Sequence, residues 1–245
     1  FWGPLYDVYK HVDALGNCWQ AEIIAGQLVA RTDPQGGKWR YSYDDIGRLI
    51  ETRDPLGRSE RISYLRHWAL PVQVTDGAGR TRRYGYDAHG NLLWEQDPLG
   101  RSTQYQYNPE GRVTRITDAL EKTRHLDWNI RGQLLSYRDC SNSQTLYRYN
   151  LQGRLSERIN ARGEHTRFRY DTRGYLIESE RPDGRTDRYD VNTAGQLTRC
   201  IDPAQKTLQF RYDLSGRMVE RLDAMGHSVR FRYDAYGRLL QLINE

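Results

Sequence analysis

The sequence predicts an all-β protein: a tandem array of β-hairpins of ~21 residues each, which forms a long curled antiparallel sheet. One aromatic position recurs every 21 residues, apart from a single spacing of 22. Each period contains two turn motifs, and apolar and polar residues alternate between them. Self-similarity at a fixed period indicates a repeat architecture. The recurring position is occupied by Tyr43, Tyr64, Tyr86, Tyr107, Trp128, Tyr149, Tyr170, Val191, Tyr212 and Tyr233.

The first turn motif reads Tyr-Asp-x-x-Gly-Arg-Leu. An Asp at the start of a turn accepts hydrogen bonds from the backbone two residues on, and Gly supplies the positive φ that ends the turn. These positions are therefore predicted to have structural roles. The predicted structural positions are Tyr43, Asp44, Gly47, Tyr86, Asp87, Gly90, Tyr107, Gly111, Trp128, Gly132, Tyr149, Gly153, Tyr170, Asp171, Gly174, Tyr212, Asp213, Gly216, Tyr233, Asp234 and Gly237.

The second turn motif reads Asp-Pro-x-Gly-Arg. Asp54 to Arg58 and Asp97 to Arg101 are full copies, and weaker copies follow at the same period. Proline sets φ at the second turn position and glycine closes the turn. Two turns in each period leave room for two strands of about six residues, which is a β-hairpin.

Apolar side chains are predicted to form one seam along the sheet. Pairs such as Tyr84 and Tyr86 lie two residues apart and therefore share a face. Leu49, Leu92 and their equivalents follow each turn glycine and can pack beside them. About 22 strands at ~4.8 Å spacing give a contour of roughly 100 Å, which should curl. The largely polar faces favour a wall around water or cargo over a filled barrel.

The array is predicted to extend almost from end to end. Residues 1–20 fit the pattern loosely and are interpreted as a degenerate first segment or a worn first repeat, and residues 21–245 as the array of about ten to eleven hairpins. Trp68 stands where a glycine belongs, which predicts a bulge or an altered loop. The chain begins with Phe1, which suggests a fragment of a longer protein.

Composition argues against several classes of protein. The net charge of +5 is spread along every repeat, without the basic stripe of a nucleic-acid binder. Cys18, Cys140 and Cys200 have no CxxC spacing and are interpreted as free thiols. No stretch approaches the ~18 apolar residues of a membrane span, and no signal peptide is visible.

The residues predict no catalytic centre, cofactor site or metal site. The two turn Asp residues of one hairpin should lie roughly 20 Å apart, beyond the reach of paired glycosidase carboxylates. Turn capping is the preferred role for these carboxylates. The six His residues do not pair at metal-ligand spacing, and no motif of a nucleophile or a phosphate loop occurs.

The two turn motifs together closely resemble the YD (Rhs) repeat of bacterial Rhs proteins, insecticidal toxin complexes and animal teneurins. The resemblance covers roughly residues 12 to 245. It implies a spiralling shell that encloses a C-terminal toxin domain of the parent chain, without enzymatic activity in the repeats. The self-cleaving Asp segment that closes the shell in the family is not found in this sequence, so cleavage is not carried over.

The resemblance also implies partners and a location. The partners are the enclosed toxin domain, the neighbouring repeats of the parent shell, and secretion-spike or chaperone proteins. The chain would be made in the bacterial cytoplasm and secreted, often through type VI secretion, for interbacterial competition. No nucleic acid is expected as a partner. Severed strand edges predict edge-to-edge self-association of the fragment.

A cell-surface adhesion or carbohydrate-binding repeat is the alternative interpretation, because aromatic faces stack on sugars. The tyrosines are more simply explained as the seam that holds the hairpins together. The sequence contains no Asn-x-Ser/Thr glycosylation acceptor and no disulfide pattern, which argues against an animal surface protein. A hydrolase would need a site that breaks the repeat, and neither irregular region contains one.

Overall fold

A computed structural model describes residues 6–245, and within them it contains 23 β-strands and no helix. In chain order β1 to β23 are Tyr6–Val12, Cys18–Ile24, Gln27–Thr32, Lys38–Tyr43, Leu49–Arg53, Ser59–Tyr64, Pro71–Thr75, Thr81–Tyr86, Leu92–Gln96, Ser102–Tyr107, Val113–Thr117, Thr123–Trp128, Leu134–Arg138, Gln144–Tyr149, Leu155–Ile159, His165–Tyr170, Leu176–Glu180, Thr186–Val191, Leu197–Ile201, Thr207–Tyr212, Met218–Leu222, Ser228–Tyr233 and Leu239–Asn244.

The predicted all-β class and the tandem hairpins are confirmed. From β4 to β22, strands of six and five residues alternate, and each six-residue strand ends at the recurring aromatic position. The turn motifs set these lengths, because most of them stop a strand at an Asp or Asn and start the next strand after a Gly. Within the described residues, no helix is long and apolar enough to cross a membrane.

The chain divides into two compact units, the first ending at Arg124 and the second running from His125 to Glu245. In the first unit, each strand from β1 to β10 pairs antiparallel with its successor. In the second unit, the same holds from the His125–Trp128 part of β12 through to β23.

The two turns of each period join strands in different ways. Across the first turn, β16 and β17 pair at four positions, and a β-bulge lies next to Tyr170. Across the second turn, β15 and β16 pair at three positions only, from Ile159 opposite His165 to Glu157 opposite Arg167. The main-chain ladder on this side therefore stops before the far end of the two strands.

Each strand separates its side chains onto two faces. On β16, Phe168 and Tyr170 are half-buried, whereas Arg167 and Arg169 are exposed on the other side. We call these the tyrosine face and the charged face, and the same division applies to the other hairpins. Among the described residues, the buried apolar ones are Ala30 and Ile159, so the seam is thin.

The first hairpins differ from the rest. A two-residue turn, Ala25 and Gly26, joins β2 to β3, and both residues have positive φ, at 49° and 81°. Two consecutive positive φ values fit the tight turns that match the twist of a hairpin. Residues 1–5 of the predicted first segment lie outside the described residues. The boundary between residues 20 and 21 stays a prediction.

Candidate functional site: the ladder between hairpins

Most turns are closed by the side chain of their first residue, an Asp or an Asn. The Asp213 Oδ1 atom accepts hydrogen bonds from the backbone N–H groups of Ser215 (3.0 Å) and Arg217 (2.9 Å). Its Oδ2 atom accepts a hydrogen bond from Arg217 Nε at 2.8 Å. In addition, the Gly216 N–H donates to the backbone oxygen of Asp213. One carboxylate therefore satisfies two backbone donors and one cation.

The same geometry occurs in both turn types. Asp44 and Asp234 bind in this way in the first turn, and Asp54 and Asp97 in the second. In Asp213, the backbone N–H of Arg217 leads the interactions that hold the pKa of the carboxyl below its usual range, against a smaller opposing effect of burial. Hydrogen bonds to the charged form of an acid lower its pKa.

The residue four positions later matches the first residue of the turn. Where the turn begins with Asp, the partner is commonly Arg, as in Asp234 and Arg238 at 2.6 Å. Where it begins with Asn, a glutamine can take that place, as in Asn192, whose amide donates to Gln196 at 2.9 Å. Both combinations keep an oxygen acceptor for the two backbone donors, so asparagine replaces aspartate without loss of the turn.

The tyrosine hydroxyl of the repeat binds backbone rather than solvent. Tyr170 Oη donates to the carbonyl of Leu155, 15 residues earlier, at 2.8 Å. Leu155 begins β15 beyond the last main-chain pair with β16, so the hydroxyl supplies a donor where the ladder has stopped. Distances of 2.8–2.9 Å join the equivalent pairs Tyr43–Leu28, Tyr64–Leu49, Tyr86–Pro71, Tyr107–Leu92, Tyr149–Leu134, Tyr212–Leu197 and Tyr233–Met218.

Partial burial accompanies these bonds. Burial raises the pKa of Tyr170, and that of Tyr43, Tyr86, Tyr107 and Tyr149, above the ordinary value for a phenol. The phenol therefore stays protonated as a donor. This contact joins residues that are distant in sequence, and period counting alone did not identify it.

A second contact between hairpins involves the glycines of the first turn motif. The next side chain leans over the turn glycine of the following hairpin, so that a Cβ atom on Gly195 would overlap the hydroxyl of Tyr175. Gln133 and Gln196 reach further and donate to the carbonyls of Gly153 and Gly216 at 2.7 and 3.0 Å. These glycines therefore allow both a positive φ and a close approach from the preceding hairpin.

Arginine at this position also covers the next aromatic ring. The Arg48 guanidinium lies 4.8 Å from the ring centroid of Tyr64, and that of Arg217 lies 5.0 Å from Tyr233. A guanidinium over an aromatic face at this distance is attracted by the ring quadrupole. We use the name inter-hairpin ladder for two contacts together. One is the hydrogen bond from the tyrosine hydroxyl, and the other is the side chain after the first-turn glycine, which lies over the next hairpin.

The recurring aromatic residues lie at the ends of strands. The turn carboxylates, amides and glycines lie in the turns between the strands. Trp128 and Val191 end β12 and β18 in place of tyrosine. The altered loop at Trp68 is closed by a bond from the Leu65 N–H to the Leu70 carbonyl, one residue longer than the regular turn. The Trp68 ring lies against Gly90 of the next hairpin, like the side chains that follow the regular glycines.

The tyrosine face also carries one unusual carboxylate. Glu95 accepts a hydrogen bond from the Tyr105 hydroxyl at 2.8 Å, beside a cavity of about 490 Å³ that Arg82 and Tyr84 also line. Burial, followed by the Glu95 carboxylate, raises the pKa of Tyr105 to about 12. A phenol held protonated in this way is a poor nucleophile. Among the described residues, no group of three or more His, Cys, Asp or Glu could hold a metal ion.

Comparisons with known proteins agree with this architecture. A family model described as Teneurin YD-shell matches residues 72–242, and one described as RHS Repeat matches residues 25–59. No match was found among curated proteins.

Solved structures with the same fold include three crystal structures of TcdB2–TccC3 proteins. The TcdB2–TccC3–TEV structure and the one without the hypervariable C-terminal region each have a TM-score of 0.63, 15% identity and coverage of 94% of this chain. TcdB2–TccC3–Cdc42 has a TM-score of 0.61, 14% identity and 98% coverage. At such identities the likeness establishes the fold alone.

This chain spans 15–18% of the length of those structures' chains. The Teneurin YD-shell match covers well over half of the sequence, and the repeat that it describes is visible in the turns and tyrosines above. The chain therefore belongs to the teneurin YD-shell family and is a shell-like segment of YD/Rhs repeats.

Proposed function

We propose that this chain is a non-enzymatic wall segment of a hollow shell that encloses a C-terminal toxin domain of its own parent chain. Its mechanism is containment. A hydrogen-bonded wall keeps the cargo apart from the producing cell until delivery. The residues of the repeat positions, from Tyr43 to Gly237, act as structural sites that hold neighbouring hairpins together.

The inter-hairpin ladder is the observation that carries this proposal. Its most regular polar groups, the tyrosine hydroxyls and turn carboxylates, are used in bonds within the sheet, as in Tyr170 to Leu155 and Asp213 to Arg217. Groups committed to such bonds are not free to bind a substrate. The half-buried rings and bonded hydroxyls likewise count against the tyrosine face as a sugar-binding surface.

The parent protein provides the test. Full-length parent would be purified under native conditions and treated with increasing protease, and the fragments would be identified by mass spectrometry. Containment predicts that a downstream polypeptide co-purifies with the repeat region, resists protease and is released only on denaturation. Free digestion of the downstream part at the rate of an unfolded chain would contradict it.

The resemblance to Rhs proteins supports a more specific proposal for how the parent protein is delivered. The parent would be made in the bacterial cytoplasm and exported, through type VI secretion, together with secretion-spike or chaperone proteins, for competition between bacteria. A competition assay with the producing strain measures this. Killing of neighbours should disappear when the secretion sheath is deleted, and unchanged killing would reject this route while leaving the containment proposal intact.

A further inference from the structure

Cross-strand ion pairs neutralise much of the charged face in the second unit. Arg167 lies between Glu157 and Glu180, with nitrogen–oxygen distances of 3.2 Å to each. Arg230 lies between Glu220 and Glu245 at 3.0 Å from both. In these two hairpins, the arginine three residues before the recurring aromatic position has a carboxylate on either side. At the same position, Arg61 and Arg188 each pair with one carboxylate, Glu51 and Glu178.

Arg83 occupies the same position in its hairpin but has glutamines on both sides. Gln73 of β7 and Gln96 of β9 are its direct cross-strand neighbours. Gln96 donates to the backbone of Gly100 and to Ser102, so its amide is directed toward the following turn and the start of β10. The exposed guanidinium of Arg83 is therefore a positive charge whose row contains amides in place of acids.

The adjacent row contains a tryptophan where the other hairpins have polar residues. Trp94 faces Gly85 directly across the strands, and its indole lies so close that a Cβ on Gly85 would overlap Nε1. The positions equivalent to Gly85 in the two preceding hairpins are Ser42 and Ser63. The glycine thus gives the indole room to lie against the sheet, and 38% of Trp94 remains exposed.

These two rows form one surface in the first unit. Arg83 and Trp94 are diagonal neighbours, for which the usual separation is about 7–8 Å. The exposed Gln104 lies directly opposite Trp94 on β10. A flat indole, a guanidinium without a carboxylate directly across from it, and a primary amide therefore occur together on the charged face of the first unit.

We propose that this surface, consisting of Arg83, Trp94 and Gln104, binds an acidic pyranose of an oligosaccharide, such as a uronic acid. The apolar face of the sugar would stack on the indole, because aromatic rings offer rigid apolar surface with little loss of entropy. The planar guanidinium matches a carboxylate with two parallel hydrogen bonds. The Gln104 amide can both donate to and accept from sugar hydroxyls.

The chemistry favours a sugar over a single-stranded nucleic acid. Nucleic-acid binders stack successive bases on several aromatic residues along a basic groove. Here Trp94 is the aromatic residue of this surface, and its polar neighbours on β9 and β10 are amides rather than further cations. The site is also independent of the proposed wall function, because it lies on the face opposite the tyrosines.

Calorimetric titration of the 245-residue chain with tetragalacturonate tests the proposal, with its methyl ester as the neutral ligand. We expect binding of the acid and weaker binding of the ester. Trp94→Gln should weaken binding of the acid by about tenfold or more, through loss of stacking. Glutamine suits this position of the fold, because Gln73 occupies the equivalent place in the preceding hairpin. Gly85→Ser, which displaces the indole, should act in the same direction.

Two further variants identify the role of charge. Arg83→Gln should remove the preference for the acid over the ester, whereas Arg167→Gln, at the ion-paired equivalent position, should leave it unchanged. Failure of tetragalacturonate to bind at millimolar concentration would overturn the proposal. So would equal binding by Trp94→Gln with an unchanged unfolding temperature, or displacement of the sugar by an oligothymidylate that binds more tightly.

Discussion

The tyrosine of the repeat combines a ring in the seam with a hydroxyl that completes the sheet. Tyr149 Oη lies 2.9 Å from the carbonyl of Leu134. A half-buried carbonyl without a donor is costly, since most backbone groups in folded proteins are paired. The hydroxyl supplies that donor from the neighbouring strand. At this scale, the stability of the array rests on many small and equivalent bonds.

Tyr149→Phe tests one of these bonds. The change keeps the ring and removes the donor to the Leu134 carbonyl, so the free energy of unfolding should fall by about 1 kcal/mol, as for a typical hydrogen bond. Urea unfolding followed by circular dichroism measures the loss. Tyr147→Phe is the matched control on the same strand, because its hydroxyl has no hydrogen-bond partner among the described residues.

Alkaline pH provides a second measurement on the same pair. Burial raises the pKa of Tyr149 in the folded state. Stability from this group is therefore fully present below the unfolded pKa of ~10 and is lost as pH rises through the folded value. The Tyr149→Phe variant should lose less stability than the wild type above pH ~10. Parallel pH profiles of the two proteins would count against the burial of the Tyr149 hydroxyl in the folded state.

Turn glycines differ in what surrounds them, although many share a positive φ. Gly195 has φ of 81° with Tyr175 against it, whereas Gly184 has φ of 79° and nothing within 4 Å. Both Gly→Ala changes incur the backbone cost of this conformation, about 1–2 kcal/mol. Only Gly195→Ala must also displace a tyrosine from the ladder.

We therefore expect Gly195→Ala to lower the unfolding temperature more than Gly184→Ala does. Thermal unfolding of the two variants beside the wild type measures the difference. Adding Tyr175→Ser to Gly195→Ala should recover part of the additional loss, because the overlap disappears with the ring. Equal losses for the two glycine variants would show that the contact with Tyr175 has no energetic weight.

At the scale of the hairpin, the turn carboxylates couple the sheet to pH. Backbone hydrogen bonds from Arg217 and Arg238 lead the interactions that lower the folded pKa of Asp213 and Asp234. Such groups contribute stability that is fully present above the unfolded pKa of ~3.9 and is lost as pH falls through the folded value. The array should therefore weaken in acid through many turns at once.

The double change Asp213→Asn and Asp234→Asn should make stability less dependent on pH below ~4. Asparagine keeps the acceptor for the backbone donors, as Asn192 does in its own turn. Chemical unfolding measured from pH 3 to pH 7 gives the profile. Asp45→Asn serves as the control, because its side chain has no hydrogen-bond partner among the described residues. A steeper acid loss in the double variant would refute the coupling.

At the scale of the whole polypeptide, the repeat makes the energetics local. Each hairpin contacts the strands next to it, so that stability is close to a sum of hairpin terms and neighbour terms. The same locality leaves the last strand, β23, paired with β22 on one side within the described chain. Exposed Leu240 and Leu242 add apolar surface to this strand.

The 245-residue polypeptide should associate edge to edge at high concentration, because an unpaired strand is a template for another chain. Light scattering over a wide concentration range should show a rising mass. Leu240→Lys should suppress that rise, and Leu214→Lys, which adds the same charge at an exposed turn, should not. A constant monomer mass for the wild type across the range would contradict the prediction.

The sequence by itself determined the all-β class, the hairpin period and the positions of the turns. This was possible because turn chemistry is local. An Asp such as Asp44 binds N–H groups two and four residues ahead, and Gly47 supplies a positive φ within the same turn. Period counting transfers such local rules to every copy of the repeat.

Only the tertiary structure decided which groups meet across hairpins. The Tyr170 hydroxyl reaches Leu155, and Tyr175 reaches Gly195, through the register of neighbouring strands rather than through spacing alone. The charged-face surface left a weak signal, because Gly85 and Trp94 both depart from the repeat consensus. Their direct opposition required the strand pairing, since a shift of the register by one residue would have turned the Trp94 side chain to the other face of the sheet.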